Sequence, residues 1–337
     1  MKTAVLLLAL GVSTTFAQGP LAPPPGAPAA GMKTLTQIEP RTPIETLPFT
    51  ISTSGSYYFT KNLQFTAASG DAISITTGNV TLDLNGFTLS STAPVTGKGI
   101  STGNELSNIS IKNGIIAGNT VVTISGSPRI WTPSLAGFTN GVYSSANDTR
   151  NLTVDNLQVS GCRGTGIYTA LGKVTNCSAQ SNGGSGINAF MGSVANSIGT
   201  SNGAFGVSAY NGSIAASTGN SNASDGINAD LGSVIGSSGM NNGGSGIRAS
   251  NSVVKNCLAR GNASAGIWAD SSVISDCKVT NSGSDGIRGA NSTISTCKAS
   301  SSDQNADDGY TASSIYWVGG RQVDNVSDSY VPAAPAP

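Results

Sequence analysis

The chain has 337 residues, with seventeen basic against seventeen acidic side chains, 44 glycines, five cysteines and no histidine. Charge this sparse and balanced, with no basic run, excludes the phosphate-neutralising face that a nucleic-acid partner requires. Without histidine, a zinc site of the usual kind is not expected either.

Residues 1–17 read as a secretory signal peptide: Lys2 as the charged start, Ala4 to Val12 as the apolar core, and Thr15-Phe16-Ala17 as a small-residue cleavage site before Gln18. The apolar run is too short to span a bilayer, so the mature chain should carry no transmembrane segment. No cysteine follows it to accept a lipid. The expected location is secreted or at the cell surface, with the periplasm as an alternative.

Residues 18–46 form a Pro/Ala-rich linker and a polar lead-in, in which Pro40 and Pro43 should prevent regular structure. A single domain is expected over 47–330. Its alternation begins at Phe49 and runs through Tyr57, Tyr58, Phe59 and Leu63, bulky residues suited to closing the bottom of a stacked column. Three irregular stretches then share the phrases Asn79-Val-Thr-Leu82, Asn108-Ile-Ser-Ile111 and Asn151-Leu-Thr-Val154. Their inward residues are taken as Leu82, Leu84, Ile111 and Ile115, larger than those that follow. An insertion between Asn119 and Gly141 carries Arg129, Trp131, Pro133 and Phe138. It reads either as a projecting functional loop, with Trp131 as a ligand-binding residue, or as a loop packing its own tryptophan on a neighbouring coil.

From about 162 to 302 the sequence repeats every twenty residues. Gly-Ile or Gly-Val recurs at Gly166, Gly186, Gly206, Gly226, Gly246, Gly266 and Gly286. Such a period marks stacked coils that contact only their neighbours. Within each copy, small or β-branched residues alternate, as in Ile187, Ala189 and Val194, so each coil holds short strands with one face inward. Strands of successive coils should pair in parallel about 4.8 Å apart, making the seven copies roughly 30 Å long. Asn182, Asn202, Asn222, Asn242 and Asn262 form a further column, read as a buried amide ladder. After Ser302 the register slips, Ile315–Val318 reads as the top cap, and 331–337 as a disordered tail.

The Gly-Ile ladder, the asparagine column and the Asn79–Gly86 phrase resemble the right-handed parallel β-helix of the pectin-lyase-like superfamily of secreted bacterial proteins. The resemblance implies an all-β solenoid of about ten coils, capped at both ends, and covers most of the chain from about residue 47. It does not extend to catalytic motifs. Polygalacturonases carry Asn-Thr-Asp, Asp-Asp, Gly-His-Gly and Arg-Ile-Lys motifs, of which only Asp307-Asp308 is echoed. Pectate lyases bind Ca²⁺ through a carboxylate cluster beside an arginine base. Asp230 and Asp270 stand two coils apart, about 10 Å, too far to share one ion. No cofactor is therefore expected; Ca²⁺ stays open, with no residue set to support it.

Three of the cysteines, Cys257, Cys277 and Cys297, share one column whose other members include serine. Packing as small residues and a bridge between neighbouring coils both fit that spacing.

If the Ile of each copy points inward, the next residue points outward: Tyr168, Asn188, Ser208, Asn228, Arg248, Trp268, Arg288. A second outward column follows: Ala170, Phe190, Tyr210, Asp230, Ser250, Asp270, Ala290. Aromatic plates stack on sugar rings, while Asp and Arg bind hydroxyls and acidic groups. Trp268, Tyr210, Phe190 and Tyr168 are thus the candidate ligand-binding residues. Asp230 and Asp270, with Arg248 or Arg288, are the candidate catalytic groups. The competing reading is that Arg248 and Arg288 merely sandwich Trp268 and pair with Asp270. The expected function is an exported β-helix protein that binds polysaccharide or a cell-surface glycan, or acts as a surface scaffold, with no recognisable catalytic motif. The alternatives are a divergent polysaccharide lyase or glycoside hydrolase and a purely structural or adhesive surface protein.

Overall fold

The computed structural model describes residues 40–91, 97–126, 130–134, 136–144, 149–300, 315–327 and 330–332. The chain divides into two units, Met1–Pro40 and Arg41–Pro337, and the second holds the fold. The signal peptide and Asp307-Asp308 lie outside the described residues.

Each regular coil is three short strands joined by three tight corners. Ile187–Ala189, Ser193–Ala195 and Ile198–Thr200 make one coil. Each pairs in parallel with the strand twenty residues on: Ile187 with Val207, Val194 with Ile214, Gly199 with Gly219. The stacked strands form three parallel sheets, called first, second and third in the order the chain enters them. Ile187, Ala189, Val194 and Gly199 all face inward and are buried. This is the expected all-β parallel solenoid, and among the described residues no helix occurs.

The corners explain why asparagine is so frequent. Between first and second strands, Met191, Asn211, Leu231, Asn251, Ser271 and Asn291 have φ of 52, 53, 60, 53, 53 and 53°. Asn176, Asn196, Ala216 and Asn256 do the same between second and third strands, at 54, 51, 46 and 54°. One left-handed residue reorients the strand without a longer loop, and asparagine adopts that region at less cost than most residues.

Inside, backbone polar groups are answered by side chains of the next coil. Asn202 Nδ2 donates to Asn222 Oδ1 at 3.0 Å and to Ala179 O at 3.1 Å, while the Asn202 amide donates to Asn222 Oδ1 at 3.0 Å. The same pattern recurs at Asn182, Asn222 and Asn242, so the expected amide ladder is present. Serines form a parallel ladder: the Ser197 amide donates to Ser217 Oγ and the Ser217 amide to Ser237 Oγ, each at 3.2 Å. Here the column is narrow. A Cβ on Gly219 would lie 2.0 Å from Gly226 O, so only glycine fits. Lower coils are wider and are filled by Phe59, Ile75, Leu82, Leu84 and Ile111, all fully buried.

Several expectations are revised. The first strand, Thr42–Ile44, lies within the supposed lead-in. It pairs with Tyr57–Phe59 despite Pro43, because an end strand has one side that needs no ladder donor. Ile115 does not face inward; Ile116 does, fully buried, because the corner at Asn113 (φ 57°) shifts the alternation by one. Ile315–Val323 continues the ladder on Ile287–Ser295, and Tyr330–Pro332, partly within the supposed tail, pairs with Ile315–Trp317. All five cysteines are buried free thiols, so the column packs rather than bridges. Burial pushes Cys162 up to about 12. Hydrogen bonds to Cys257 and Cys297, then burial, push the Cys277 thiol up.

Candidate functional site

Strand register sets the outward column of the first sheet. Tyr143, Tyr168, Asn188, Ser208, Asn228, Arg248, Trp268, Arg288 and Tyr316 are successive partners along it. Its lower end is aromatic: Tyr143 and Tyr168 stack with centroids 5.3 Å apart at 17°, and Lys98 Nζ lies 4.8 Å from the Tyr143 ring. Burial, then the neighbouring Tyr143, raises the Tyr168 hydroxyl above its ordinary value of 10.0.

The upper end alternates cation and ring. The Arg248 and Arg288 guanidiniums lie 5.2 and 4.4 Å from the Trp268 ring, and Arg288 also lies 5.4 Å from Tyr316. Beside this column, in the second outward set, Phe190 and Tyr210 stack at 5.5 Å and 4°, with Tyr210 43 % exposed. Ala170, expected outward in that set, is instead fully buried where the irregular coils meet the regular ones, and Ser208, expected outward in the first column, is buried as well.

The two candidate carboxylates act as links between coils. Asp230 Oδ1 accepts from the Ser250 amide at 2.8 Å. Asp270 Oδ1 accepts from the Ala290 amide and Oδ2 from Trp268 Nε1, both at 2.8 Å. Asp270 therefore orients the indole, and Trp268 lies between two guanidiniums. The two guanidiniums match the sandwich part of the competing reading, whereas the hydrogen-bond partners of Asp270 are the indole N–H and the Ala290 amide and not the arginines that reading pairs it with. Among the described residues, no group of three Cys, Asp or Glu side chains could hold a metal ion.

A further carboxylate, Asp225, lies close to this face. It is 6 % exposed and accepts from the Ser245 amide at 2.7 Å. Burial raises its carboxyl above the ordinary 3.8, opposed by the Ser245 bond and by the positive charge of Arg248. The sequence signal is the repeated Ser-Asp-Gly-Ile, which places it three residues before the outward column.

Trp131 is not gathered to this face. Val122–Ser125 and Ile130–Pro133 form an antiparallel hairpin. Trp131 Nε1 donates to Ser221 O at 3.0 Å, and a Cβ on Gly243 would lie 2.8 Å from the indole. The insertion thus packs its tryptophan on distant coils.

No family model matches the sequence, and no curated protein matches it. Among solved structures, the chain is similar to the A-module of the Azotobacter vinelandii mannuronan C-5 epimerase AlgE4, with TM-score 0.55 and 14 % identity over 83 % of this chain and 90 % of that one. It is also similar to the A-module of the AlgE6 epimerase from the same organism, with TM-score 0.52 and 14 % identity over 81 % of this chain and 78 % of that one. The chain has the right-handed parallel β-helix fold.

Proposed function

We propose that the chain is an exported β-helix that binds polysaccharide along the outward face of its first sheet. The observation that carries this reading is the run of rings and guanidiniums from Tyr168 through Phe190 and Tyr210 to Arg248, Trp268 and Arg288, of which Tyr210 and Arg248 are exposed and the others half-buried. Rings held in register by strand pairing offer apolar surface to sugars without a further ordering cost, and guanidiniums supply hydrogen-bond donors to hydroxyls or carboxylates. The similar structures are named for action on mannuronan, which agrees with a glycan ligand. Export rests on the leader-like residues 1–17 and location at the cell surface on that export.

Affinity gel electrophoresis against plant, algal and microbial polysaccharides tests this. At least one should retard the folded protein, and Trp268→Ala or Tyr210→Ala should relieve the retardation. Unaltered mobility across the panel would sink the reading.

A second reading, lyase or hydrolase action on the bound glycan, is favoured by Asp225, a carboxyl raised by burial near Arg248. It requires new sugar ends in the incubation and their loss in Asp225→Asn.

A further inference from the structure

We propose that the corner between the first and second sheets is a separate groove for an uncharged oligosaccharide. The inference rests on the glycan-binding reading above and assigns a second surface to it. A shallow, largely open depression of about 450 Å³ follows this corner, lined chiefly by Asn251, Ser271 and Asn291 on one side and Val253, Val273 and Thr293 on the other. No charged side chain lines it.

The fold builds this groove rung by rung. Asn251, Ser271 and Asn291 all have φ of 53°, and all three are exposed, one polar side chain per coil. The residues between the two walls turn inward and hold the corner rigid. The Gly232 amide donates to Ser252 Oγ at 3.1 Å, the Ser252 amide to Ser272 Oγ at 3.0 Å, and the Ser272 amide to Ser292 Oγ at 3.0 Å. Val253 and Val273 stand 43 and 47 % exposed. In the coil below, the corner residue is Leu231, so the polar wall begins only at Asn251.

The ligand class follows from this chemistry. A side-chain amide offers donors and an acceptor together, which suits a hydroxyl that also does both. The valines give an apolar strip for the C–H face of a ring. Rungs about 4.8 Å apart repeat these groups at a spacing close to one sugar residue, so the oligosaccharide lies along the column axis. An anionic or cationic ligand would find no counter-charge in the lining. Asp270, of the proposed face, directly precedes Ser271 of the groove wall.

The test is isothermal titration of the full chain with neutral hexasaccharides of xylose, glucose and mannose, and with polygalacturonate as a charged probe. Asn251→Gly combined with Asn291→Gly removes both amides while glycine keeps the positive φ without strain. Val273→Lys places a charge in the strip as an independent variant. Both should weaken a neutral hexasaccharide about ten-fold or more, and the double glycine variant should change polygalacturonate binding by less than about two-fold. Unchanged neutral affinity in both variants overturns the inference. So does binding of polygalacturonate with no neutral hexasaccharide bound, an outcome that leaves the glycan reading standing. Binding of none of these probes, together with unaltered mobility on the polysaccharide panel, defeats that reading and this inference with it.

Discussion

At the corners, a left-handed backbone is imposed on whatever residue the sequence supplies. Leu231 (φ 60°) and Met191 (φ 52°) occupy positions where Asn211, Asn251 and Asn291 stand in other coils. Leu231 is 45 % exposed, so it gains little from burial to offset the backbone cost. Leu231→Asn should therefore raise stability by about 1 kcal/mol, read as a higher urea midpoint at unchanged slope. An unchanged or lower midpoint would contradict the corner argument. These corners were hard to read in the sequence because Asn, Ser, Ala, Met, Leu and Thr all occupy them, and residue type alone does not betray a positive φ.

Asp225 provides the pH test at the same scale. Its folded carboxyl is raised above the ordinary 3.8, so the unfolded chain ionises first and the folded chain keeps the proton longer. Stability from this group is full below 3.8 and is lost as pH rises through the raised value. Asp225→Asn retains an acceptor for the Ser245 amide and cannot ionise. The variant should melt higher than the parent at about pH 7 and no higher at about pH 3. Equal melting at neutral pH would show that burial does not penalise this charge.

The elements hold together through ladders rather than through bulk. Asn222 accepts from the Asn202 amide and Nδ2, and donates to Gly199 O and Asn242 Oδ1. Asn222→Ala leaves the buried Asn202 amide without an acceptor and Asn202 Nδ2 with Ala179 O alone, and should cost about 2–4 kcal/mol by denaturant unfolding. A cost below about 1 kcal/mol would mean that water or relaxation replaces the ladder. The ladder stops at Ser282, whose buried Oγ has no partner among the described residues. Gly219→Ala probes the steric side, since its Cβ would meet Gly226 O at 2.0 Å. That variant should lose at least about 2 kcal/mol because both backbones are fixed by parallel pairing. The asparagine column was visible in the sequence because each copy repeats it at one position. The hairpin around Trp131 was not, because its contacts at Ser221 and Gly243 join residues about a hundred positions apart with no shared pattern.

For the whole molecule, periodicity made the fold legible and made the site only partly so. A twenty-residue repeat dictates stacking, and stacking dictates which of Tyr168, Arg248, Trp268 and Arg288 share a face. Spacing could not show that Trp268 and Asp270 hold each other, nor that Asp225 is buried beside that face, because those depend on side-chain rotamers. The cysteines give a check on the intact column. The native protein without reductant should show no thiol reacting with a bulky reagent, and the unfolded protein all five. Three reacting thiols after unfolding would instead reveal a bridge.

The central claim is that the ring-and-guanidinium face binds glycan. The most direct measurement is a calorimetric titration of the polysaccharide that retards the protein, comparing the parent with Trp268→Ala and Tyr210→Ala. Each variant should remain folded and bind at least about ten-fold more weakly. Parental affinity in both folded variants would contradict it and move binding off this face.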